Sequence, residues 1–358
     1  MQNYILRIID ANSDRISEGL RFLEEIARFI LCDPFLSNQL KNLRHNLIET
    51  TTRIGIELLS GRNSVTDVGA NMQISMPLQN ITSLAMANAK RVEQGLRVLE
   101  EIAKLPEARP ILNSKYYQKT RFTMYEIERR LLSALFRREK ASILTGLYVI
   151  LDNQTLGNKD ILQAAEQVIK GGARIIQLRD KCSEKGQLLG IAQKIKKLCK
   201  NSSALFIIND HLDIALACDA DGLHIGQDDL PVSIARKYLN IDKIIGCSIN
   251  TVRQAQNAIT RGADYIAVGS IFPTISKSEA KVVGLTRLRE LRKHISAPII
   301  AIGGINSDNI TSVISAGADS VAVISAILAQ KNIEESTRQL VKQVAKKREY
   351  NSKAGKDC

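Results

Sequence analysis

The sequence has no tryptophan, and its 7 phenylalanines and 8 tyrosines make up only 4% of 358 residues. Proteins that hold single-stranded nucleic acid stack bases on aromatic side chains, so this scarcity argues against that class. No stretch approaches the 18 consecutive apolar residues of a membrane-spanning helix, and no basic flank precedes an apolar core at the start. We therefore expect no nucleic-acid partner, no membrane span and no secretory signal.

Cysteine is also sparse, and its spacing excludes two classes of site. The 6 cysteines form no C-x-x-C pair and have no nearby histidine partner; they are Cys32, Cys182, Cys199, Cys218, Cys247 and Cys358. Scattered thiols in a chain of this length are typical of reduced, structural residues rather than of a disulfide framework or a zinc site. A cytoplasmic location is the expectation.

The positive charge is spread along the chain rather than gathered into one binding surface. The formal net charge is +13, yet the last 21 residues alone hold 7 lysines and arginines against 2 acids. That end, 346–358, is predicted to be a solvated basic tail. The remaining excess is diffuse, and it suits anionic small molecules better than nucleic acid. Both a monomer and a homo-oligomer are compatible with the sequence.

From about residue 146 the chain alternates short β-branched runs with amphipathic helical stretches. Eight runs are too short for helices and read as buried strands: 147–152, 174–180, 204–210, 222–226, 244–249, 265–272, 298–305 and 320–327. Continuous Val/Ile runs are what parallel strands covered on both faces need. A doubly wound open sheet is the alternative, but eight regular units favour closure. We predict an α/β fold, a (β/α)8 TIM barrel over 146–345.

The first 140 residues show no strand pattern and contain an internal repeat instead. The segment 11–28 (ANSDRISEGLRFLEEIAR) recurs at 87–104 (ANAKRVEQGLRVLEEIAK), and a second helical stretch follows each copy, at 37–59 and 113–139. Apolar residues at i, i+4, i+7 and i+11 in the first copy predict an amphipathic helix. We therefore expect residues 1–140 to form an all-α duplicated helical domain, joined internally by a polar loop after residue 60.

Chemistry-bearing residues in the barrel half fall at the predicted C-terminal strand ends, where barrels of this type carry their active sites. Asp210 and Asp229 are hard oxygen ligands on adjacent strand ends, as a Mg²⁺ shared with substrate phosphates requires. Arg179, Lys181 and Lys277 are placed to hold phosphate oxygens and charge on a departing diphosphate. Predicted strand seven ends in Gly303-Gly304 and predicted strand eight carries Ile324-Ser325, near the loops where such barrels commonly bind a monophosphate.

Each of these residues has an ordinary structural alternative. Either aspartate could cap a helix, each cation could be solvated, and the hydroxyls of Thr274, Ser276 and Ser325 could serve turns. His211 and His224 have no spaced His/Cys partners, so supporting or core roles are favoured over metal ligation. The joint placement at successive strand ends favours a site.

In family order the chain carries Q-L-R-D-K, I-N-D, G-Q-D-D-L-P, G-C-S, F-P-T-x-S-K, I-G-G-I and V-I-S-A. By these motifs, residues 146–330 resemble the thiamine-phosphate synthases. The resemblance implies that Asp210 and Asp229 bind Mg²⁺. It further implies two sets of substrate-binding residues, for hydroxymethylpyrimidine diphosphate and thiazole phosphate respectively: Gln177, Leu178, Arg179, Asp180, Lys181, Asn209, Ser248 and Lys277; and Thr274, Ile275, Ser276, Gly304, Ile324 and Ser325. Arg179, Lys181, Ser248 and Lys277 would be catalytic. Where the family usually has a second threonine this chain has Ser276, which keeps the hydroxyl.

The mechanism implied by that resemblance is dissociative. Pyrophosphate leaves, the electron-rich aminopyrimidine supports a methylene cation, and the thiazole nitrogen attacks it. No general base is needed for the bond-forming step, which agrees with a site rich in cations and hydroxyls but without an evident nucleophile–base pair.

The A-N-x-x-R-x-x-x-G-L-R-x-L-E-E repeat and Asp67-Val68-Gly69 resemble the second, monofunctional type of hydroxymethylpyrimidine-phosphate kinase. The resemblance implies that this domain makes the diphosphate from ATP. No G-x-x-x-x-G-K-[ST] phosphate loop occurs, so the residues alone do not indicate a kinase. The candidate site residues are Asn12, Arg15, Asp67, Asn88 and Arg91.

Two alternatives stay open. The Arg and Glu residues of the repeat could be inter-helix salt bridges in a non-catalytic dimerisation module. The barrel could be a thiazole tautomerase, although isomerisation needs neither the Asp210/Asp229 pair nor the lysine set.

Overall fold

In the computed structural model, the described residues are 2–52, 54–61, 80–274 and 281–354. The chain divides into two compact units, Met1–Phe136 and Arg137–Cys358. The predicted loop after residue 60, with Asp67, lies outside the described residues, as do Ile275, Ser276 and Lys277. Within the described part of the chain, no helix is long and apolar enough to cross a membrane.

The first unit is helical, as the repeat predicted. A π-helical turn, Ile26–Ile30, continues the first helix. The helices are α1 Asn3–Glu25, α2 Pro34–Thr52, α3 Gly55–Gly61, α4 Ile81–Ile102 and α5 Ser114–Ser142. The stretch predicted as one helix over 37–59 is therefore two, α2 and α3.

The two copies of the repeat, on α1 and α4, cross antiparallel at their glycines. A Cβ on Gly19 would lie 2.6 Å from Cγ2 of Val92, and one on Gly95 would lie 2.7 Å from Cγ1 of Ile16. Because any side chain at either glycine would collide with the opposite helix, both positions need glycine for close approach. The repeat thus builds a pseudo-symmetric core.

The duplicated glutamates tie each repeat helix to the helix that follows it. Glu24 on α1 accepts from Nη2 of Arg44 on α2 at 3.0 Å, and Glu100 on α4 accepts from Nε of Arg121 on α5 at 2.9 Å. All four side chains are largely buried. These glutamates therefore have a structural role within the helical unit.

The second unit is a closed barrel of eight parallel strands in the order β1 to β8, which confirms the predicted fold class. The strands are β1 Gly146–Asp152, β2 Ile175–Arg179, β3 Leu205–Asn209, β4 Gly222–Ile225, β5 Ile244–Ile249, β6 Tyr265–Val268, β7 Ile299–Ile302 and β8 Ser320–Val323. The helices are α6 Asn153–Leu156, α7 Ile161–Lys170, α8 Lys185–Asn201, α9 Leu212–Ala217, α10 Val232–Tyr238, α11 Val252–Thr260, α12 Gly284–His294, α13 Ile310–Ser315, α14 Ser325–Leu328 and α15 Ile333–Ala354.

Three predicted strands end three or more residues before their runs do: 265–272 at Val268, 298–305 at Ile302 and 320–327 at Val323. The first and the last of them show why. After Val268 the chain leaves the sheet, and Ser270 Oγ donates to the Phe272 carbonyl at 2.6 Å. After Val323 the backbone turns at Ile324, and Ser325 begins α14 instead of continuing the strand. In both places the apolar side chains pack inside a loop or a short helix, so the sequence run alone did not show where the strand stops.

Side chains alternate between two apolar layers, as period-two strands require. One layer fills the barrel interior and includes Tyr148, Ile150, Ile207 and Tyr265. The other lies between strands and helices and includes Val149 and many helix residues.

At the N-terminal end of the barrel, an aspartate precedes each of β4, β6 and β8. Each aspartate joins its own strand to the strand before it. Asp221, Asp264 and Asp319 accept backbone N–H groups of the preceding strand, from Phe206 at 3.0 Å, Ile245 at 2.8 Å and Ile299 at 2.8 Å. Each carboxylate is also paired with a cation on the helix that leads into that preceding strand; these cations are Lys196, Arg236 and Arg292 respectively. We call these three groups the aspartate clamps.

Candidate active site

The C-terminal strand ends bring residues from β2, β3 and the loop after β4 to one place. The carboxyl groups of Asp210 and Asp229 lie within hydrogen-bonding reach of each other, and the charges of Lys181 and His211 also act on Asp210. Burial, followed by the neighbouring Asp229 carboxyl, raises the pKa of Asp210 to about 6. The two carboxylates repel one another, which a cation between them would relieve.

The backbone holds both carboxylates in position. Asp210 has φ of 64°, a left-handed conformation that Asp and Asn tolerate best among residues with side chains, and its N–H donates to the His224 carbonyl at 2.8 Å. Asp229 Oδ2 accepts the Gly226 N–H at 2.7 Å across the loop after β4. The strained turn at Asp210 and this loop contact aim the carboxyl groups toward each other.

This donor set fits Mg²⁺ held jointly with a substrate. Magnesium usually keeps several waters and takes one or two carboxylates together with substrate phosphate oxygens. Among the residues that the structure describes, no group of three or more His, Cys, Asp or Glu side chains forms a metal site. Asp210 and Asp229 would therefore hold the ion together with phosphate and water.

The two described cations predicted to bind phosphate differ in their surroundings. Arg179, at the end of β2, is ion-paired with the buried carboxylate of Asp152, at the end of β1. Asp152 Oδ1 also accepts the Thr155 N–H at 2.8 Å, so the arginine is held by a carboxylate that is itself fixed. Lys181 is exposed and makes no ion pair among the described residues, which leaves its ammonium group available to an anion.

Asp180 organises the loop after β2. Its Oδ1 accepts N–H groups of Cys182 at 2.9 Å and Ser183 at 3.0 Å, and its Oδ2 accepts Ser183 Oγ at 2.6 Å and Asn153 Nδ2 at 3.1 Å. Although burial opposes the charge, these hydrogen bonds hold the pKa of Asp180 below its ordinary value. The side chain thus fixes the backbone of the loop directly after Lys181.

The other residues predicted to bind the pyrimidine diphosphate are divided between the two faces of the sheet. Gln177 and Ser248 point into the barrel, whereas Leu178 packs into the layer between strands and helices. A ligand could therefore meet only the backbone of Leu178. Asn209 ends β3 half-buried, beside Asp210.

The residues predicted to bind a monophosphate lie around the ends of β7 and β8. Gly303 and Gly304 have φ of 100° and 64°, and a Cβ on Gly304 would lie 2.4 Å from the Pro273 carbonyl oxygen. Ile324 immediately precedes α14, and Ser325 is exposed at its first residue. Thr274 is half-buried at the end of the described part of the loop after β6. The Gly303-Gly304 and Ile324-Ser325 segments follow neighbouring, paired strands, so they lie at the same end of the barrel.

In the helical unit, the candidate residues fall into two kinds. Asn12 and Asn88 are buried, and their amide nitrogens donate to the Ile8 and Leu84 carbonyls at 2.8 and 2.9 Å, one helical turn earlier. Arg15 and Arg91 are exposed and make no ion pair within the described part of the chain. The arginines are therefore free to meet a ligand, while the asparagine amide groups are partly used by their own helices.

Sequence reasoning missed three residues of the barrel site and named a fourth, His224, for a supporting or core role. Asp152 orients Arg179, and Tyr148, Tyr265 and His224 form a buried polar chain between Gln177 and Ser248. An acid at the end of the first strand was a visible signal. Period-two alternation could also have placed Tyr148 and Tyr265 on the same inward face as Gln177.

The family described as "Thiamine monophosphate synthase" matches residues 147–327. A protein of Thermosynechococcus vestitus named "Thiamine-phosphate synthase" is 38% identical over 344 residues, which cover 95% of both chains. This chain belongs to the thiamine-phosphate synthase family.

Further relatives support this membership of the thiamine-phosphate synthase family. A "Thiamine-phosphate synthase" of Synechocystis is 37% identical over 345 residues, covering 96% of this chain and 97% of that one. The solved structure of a thiamine phosphate pyrophosphorylase from Pyrococcus furiosus has a TM-score of 0.54 and 36% identity, and covers 58% of this chain and 98% of its own. The helical half matches the "ThiD2 family" over residues 7–130. The predicted transferase of thiamine biosynthesis is thus confirmed at family level.

Proposed function

We propose that the barrel joins hydroxymethylpyrimidine diphosphate to thiazole phosphate, giving thiamine phosphate and pyrophosphate. The observation that carries this proposal is the Asp210/Asp229 pair, with Lys181 acting on it from the neighbouring strand end. This is the arrangement that a diphosphate with its divalent cation requires, and an isomerase would have no use for it.

In the proposed reaction, the C–O bond between the pyrimidine methylene and the diphosphate breaks, and its electron pair leaves with pyrophosphate. The lone pair of the thiazole nitrogen then forms the new C–N bond. Arg179 and Lys181, with Lys277 from the loop outside the described residues, stabilise the charge on the departing diphosphate. The Asp152–Arg179 ion pair fixes one of these cations before the substrate arrives, so less ordering is needed during reaction.

Mg²⁺, when bound to Asp210 and Asp229, supplies further neutralisation of the diphosphate charge. On our assignment Gln177, Asn209 and Ser248 hold the pyrimidine diphosphate, and Asp180 and Leu178 build the strand end that supports them. The thiazole phosphate would meet Thr274, Ile275, Ser276, Gly304, Ile324 and Ser325.

The direct test is an assay of the purified full chain with both phosphorylated substrates and Mg²⁺. We expect thiamine phosphate and pyrophosphate to form in equal amounts, and omission of the thiazole phosphate to stop thiamine phosphate formation. Absence of thiamine phosphate with both substrates present would contradict the proposal.

We further propose that the helical unit phosphorylates hydroxymethylpyrimidine phosphate with ATP, supplying the diphosphate to the barrel. The match to the ThiD2 family over residues 7–130 supports a kinase role over a docking role. The buried Glu24 and Glu100 salt bridges account for the acidic residues of the repeat, but not for the exposed Arg15 and Arg91. Residues 1–140 would then be the kinase and 146–345 the synthase. The described cysteines are all free, which suits the cytoplasmic location that we infer.

Arg15→Ala and Arg91→Ala are each expected to slow formation of the pyrimidine diphosphate by about 10-fold or more, because each removes a cation that is available to a phosphate group. The full chain carrying Asp210→Asn serves as background, since we expect the barrel then to leave the diphosphate unconsumed. The readout is diphosphate produced from the monophosphate, ATP and Mg²⁺.

Arg129→Ala is the matched control, because Arg129 is also an exposed helix arginine, and its ion pair within the described residues is with Glu126, one turn away. It should leave the phosphorylation rate unchanged. Equal rates in all three variants would remove Arg15 and Arg91 from the proposed site, and no diphosphate in the background variant would contradict the kinase itself.

A further inference from the structure

A continuous chain of hydrogen bonds crosses the interior of the barrel between two of the proposed substrate-binding residues. Gln177 Nε2 lies 2.9 Å from Tyr148 Oη, which lies 3.1 Å from Tyr265 Oη. Tyr265 Oη lies 3.1 Å from His224 Nδ1, and His224 Nε2 lies 2.9 Å from Ser248 Oγ. We call these five residues the interior chain.

The three middle residues are enclosed by protein. Tyr265 is wholly buried, Tyr148 is 2% exposed and His224 is 8% exposed. The rings of His224 and Tyr265 stack at 5.6 Å. Gly246 leaves the space for this arrangement, since a Cβ there would lie 2.0 Å from Tyr265 Cζ. The strands therefore hold the chain rigidly, and water has little access to its polar atoms.

The number of protons available allows the interior chain only two patterns of hydrogen-bond direction. Each phenol keeps its proton at neutral pH, and burial raises the pKa of both tyrosines further above the ordinary value. The enclosed His224 ring lies between two hydroxyl oxygens, Tyr265 Oη and Ser248 Oγ, and a buried imidazole held by two hydroxyl groups carries one proton. Each middle residue can then donate one hydrogen bond and must accept the other. Any mixed arrangement leaves a buried O–H or N–H without an acceptor, which is costly. All four bonds must therefore point the same way.

We propose that the interior chain is polarised from Gln177 to Ser248, so that Tyr148, Tyr265 and His224 act as positioning residues that fix the hydrogen-bonding faces of both ends at once. Gln177 donates to Tyr148 and keeps its Oε1 as an acceptor for the ligand. His224 carries its proton on Nε2 and donates it to Ser248 Oγ, so the serine hydroxyl proton is available to the ligand.

The proposed function favours this direction over the reverse, and the inference rests on it for the identity of the ligand. Diphosphate oxygens only accept hydrogen bonds, so a serine whose proton pointed back to His224 would present lone pairs to an anion. At the other end, an aminopyrimidine edge offers an N–H donor and a ring-nitrogen acceptor. A glutamine that keeps Oε1 and one N–H free complements that edge.

The tautomer of His224 tests the proposal without any substrate. The full chain contains only 4 histidines, so ¹⁵N-histidine labelling with two-bond ¹H–¹⁵N correlation resolves them, and His224→Gln assigns the signal. We expect a neutral ring protonated at Nε2 at pH 7.5. A ring protonated at Nδ1, doubly protonated, or exchanging between tautomers would overturn the proposed polarity.

Two variants separate positioning from mere structural support. Tyr265→Phe removes the donor to Nδ1, so we expect both tautomers of His224 to appear and kcat for coupling to fall by about 10-fold. Tyr148→Phe removes the acceptor of the Gln177 amide but leaves the Tyr265–His224 hydrogen bond. We therefore expect an unchanged His224 tautomer and a KM for the pyrimidine diphosphate raised by about 10-fold. The kcat should stay within about threefold of the unmutated value. An unchanged tautomer in Tyr265→Phe, or equal effects of the two variants on kcat, would overturn the proposal.

Tyr117→Phe is the matched control, because Tyr117 is wholly buried and its hydroxyl has no hydrogen-bond partner among the described residues. It should change neither the His224 signal nor the coupling kinetics. If the unmutated chain shows no coupling activity, the proposed function fails, while the tautomer of His224 still decides the polarity.

Discussion

Asp210→Asn is expected to lower the rate of thiamine phosphate formation by at least about 100-fold while leaving the barrel folded. The substitution keeps the size of the side chain and removes one of the two carboxylates proposed to hold Mg²⁺. Asn also tolerates the left-handed backbone at this position, where φ is 64°. The measurement is kcat and KM for the pyrimidine diphosphate as Mg²⁺ is varied.

The same substitution should not lower the melting temperature in the absence of Mg²⁺, and we expect it to rise. Burial and the Asp229 carboxyl raise the pKa of Asp210, which means that its charged form is disfavoured in the folded protein. A neutral side chain of equal shape removes that repulsion. Activity and stability therefore change in opposite directions, as is common where a site is built for a bound ion.

Asp228→Asn is the control for this experiment, since Asp228 is an exposed carboxylate next to Asp229 in the same loop. It should retain nearly full activity with an unaltered Mg²⁺ dependence. If Asp210→Asn kept more than about a tenth of the activity, or if both variants lost equally, the magnesium assignment would be wrong.

Asp264→Ala is expected to destabilise the barrel by about 3–5 kcal/mol, because it leaves two largely buried arginines without their counter-charge. Arg137 Nε lies 3.0 Å from Asp264 Oδ1, and Arg236 pairs with Oδ2. Burial lowers the pKa of Arg236, and the Asp264 carboxylate offsets part of that effect. The variant also loses the acceptor of the Ile245 N–H in β5. The loss should appear as a shift of the barrel transition in urea unfolding.

Asp213→Ala provides the comparison, because Asp213 pairs with Lys185 on the surface, where the two side chains are 53% and 68% exposed. Solvent screens that pair, so the loss should be at most about 1 kcal/mol. If Asp264→Ala lowered the free energy of unfolding no more than Asp213→Ala does, this clamp would contribute little to stability.

The sequence predicted the barrel well because each buried parallel strand needs its own continuous apolar run. It predicted strand ends less well: the runs beyond Val268 and Val323 remain apolar although the backbone leaves the sheet. Apolar side chains there still pack against the core, so a run of buried apolar residues can continue past the end of its strand. An apolar run in the sequence indicates which residues are buried, but it does not indicate where the strand ends.

For the site, sequence order placed Asp210 and Asp229 together because parallel strands deliver their ends to one edge. It did not show that Arg179 has a partner on a different strand, or that Asp180 is occupied by its own loop. Those contacts depend on side-chain direction and on residues far apart along the chain. In the helical unit, the repeat predicted the duplicated helices but not which glutamates are held in salt bridges.

The aspartate clamps have a consequence for how this barrel tolerates change. Asp221, Asp264 and Asp319 precede their strands, whereas Asp210, Asp229 and Ser325 follow theirs. The groups that fasten neighbouring strands and the groups proposed to meet substrates thus occupy opposite ends of the barrel. Loops at the substrate end can accumulate substitutions without loosening the barrel, and repairs at the clamped end can restore stability without altering specificity. The two ends can therefore evolve separately.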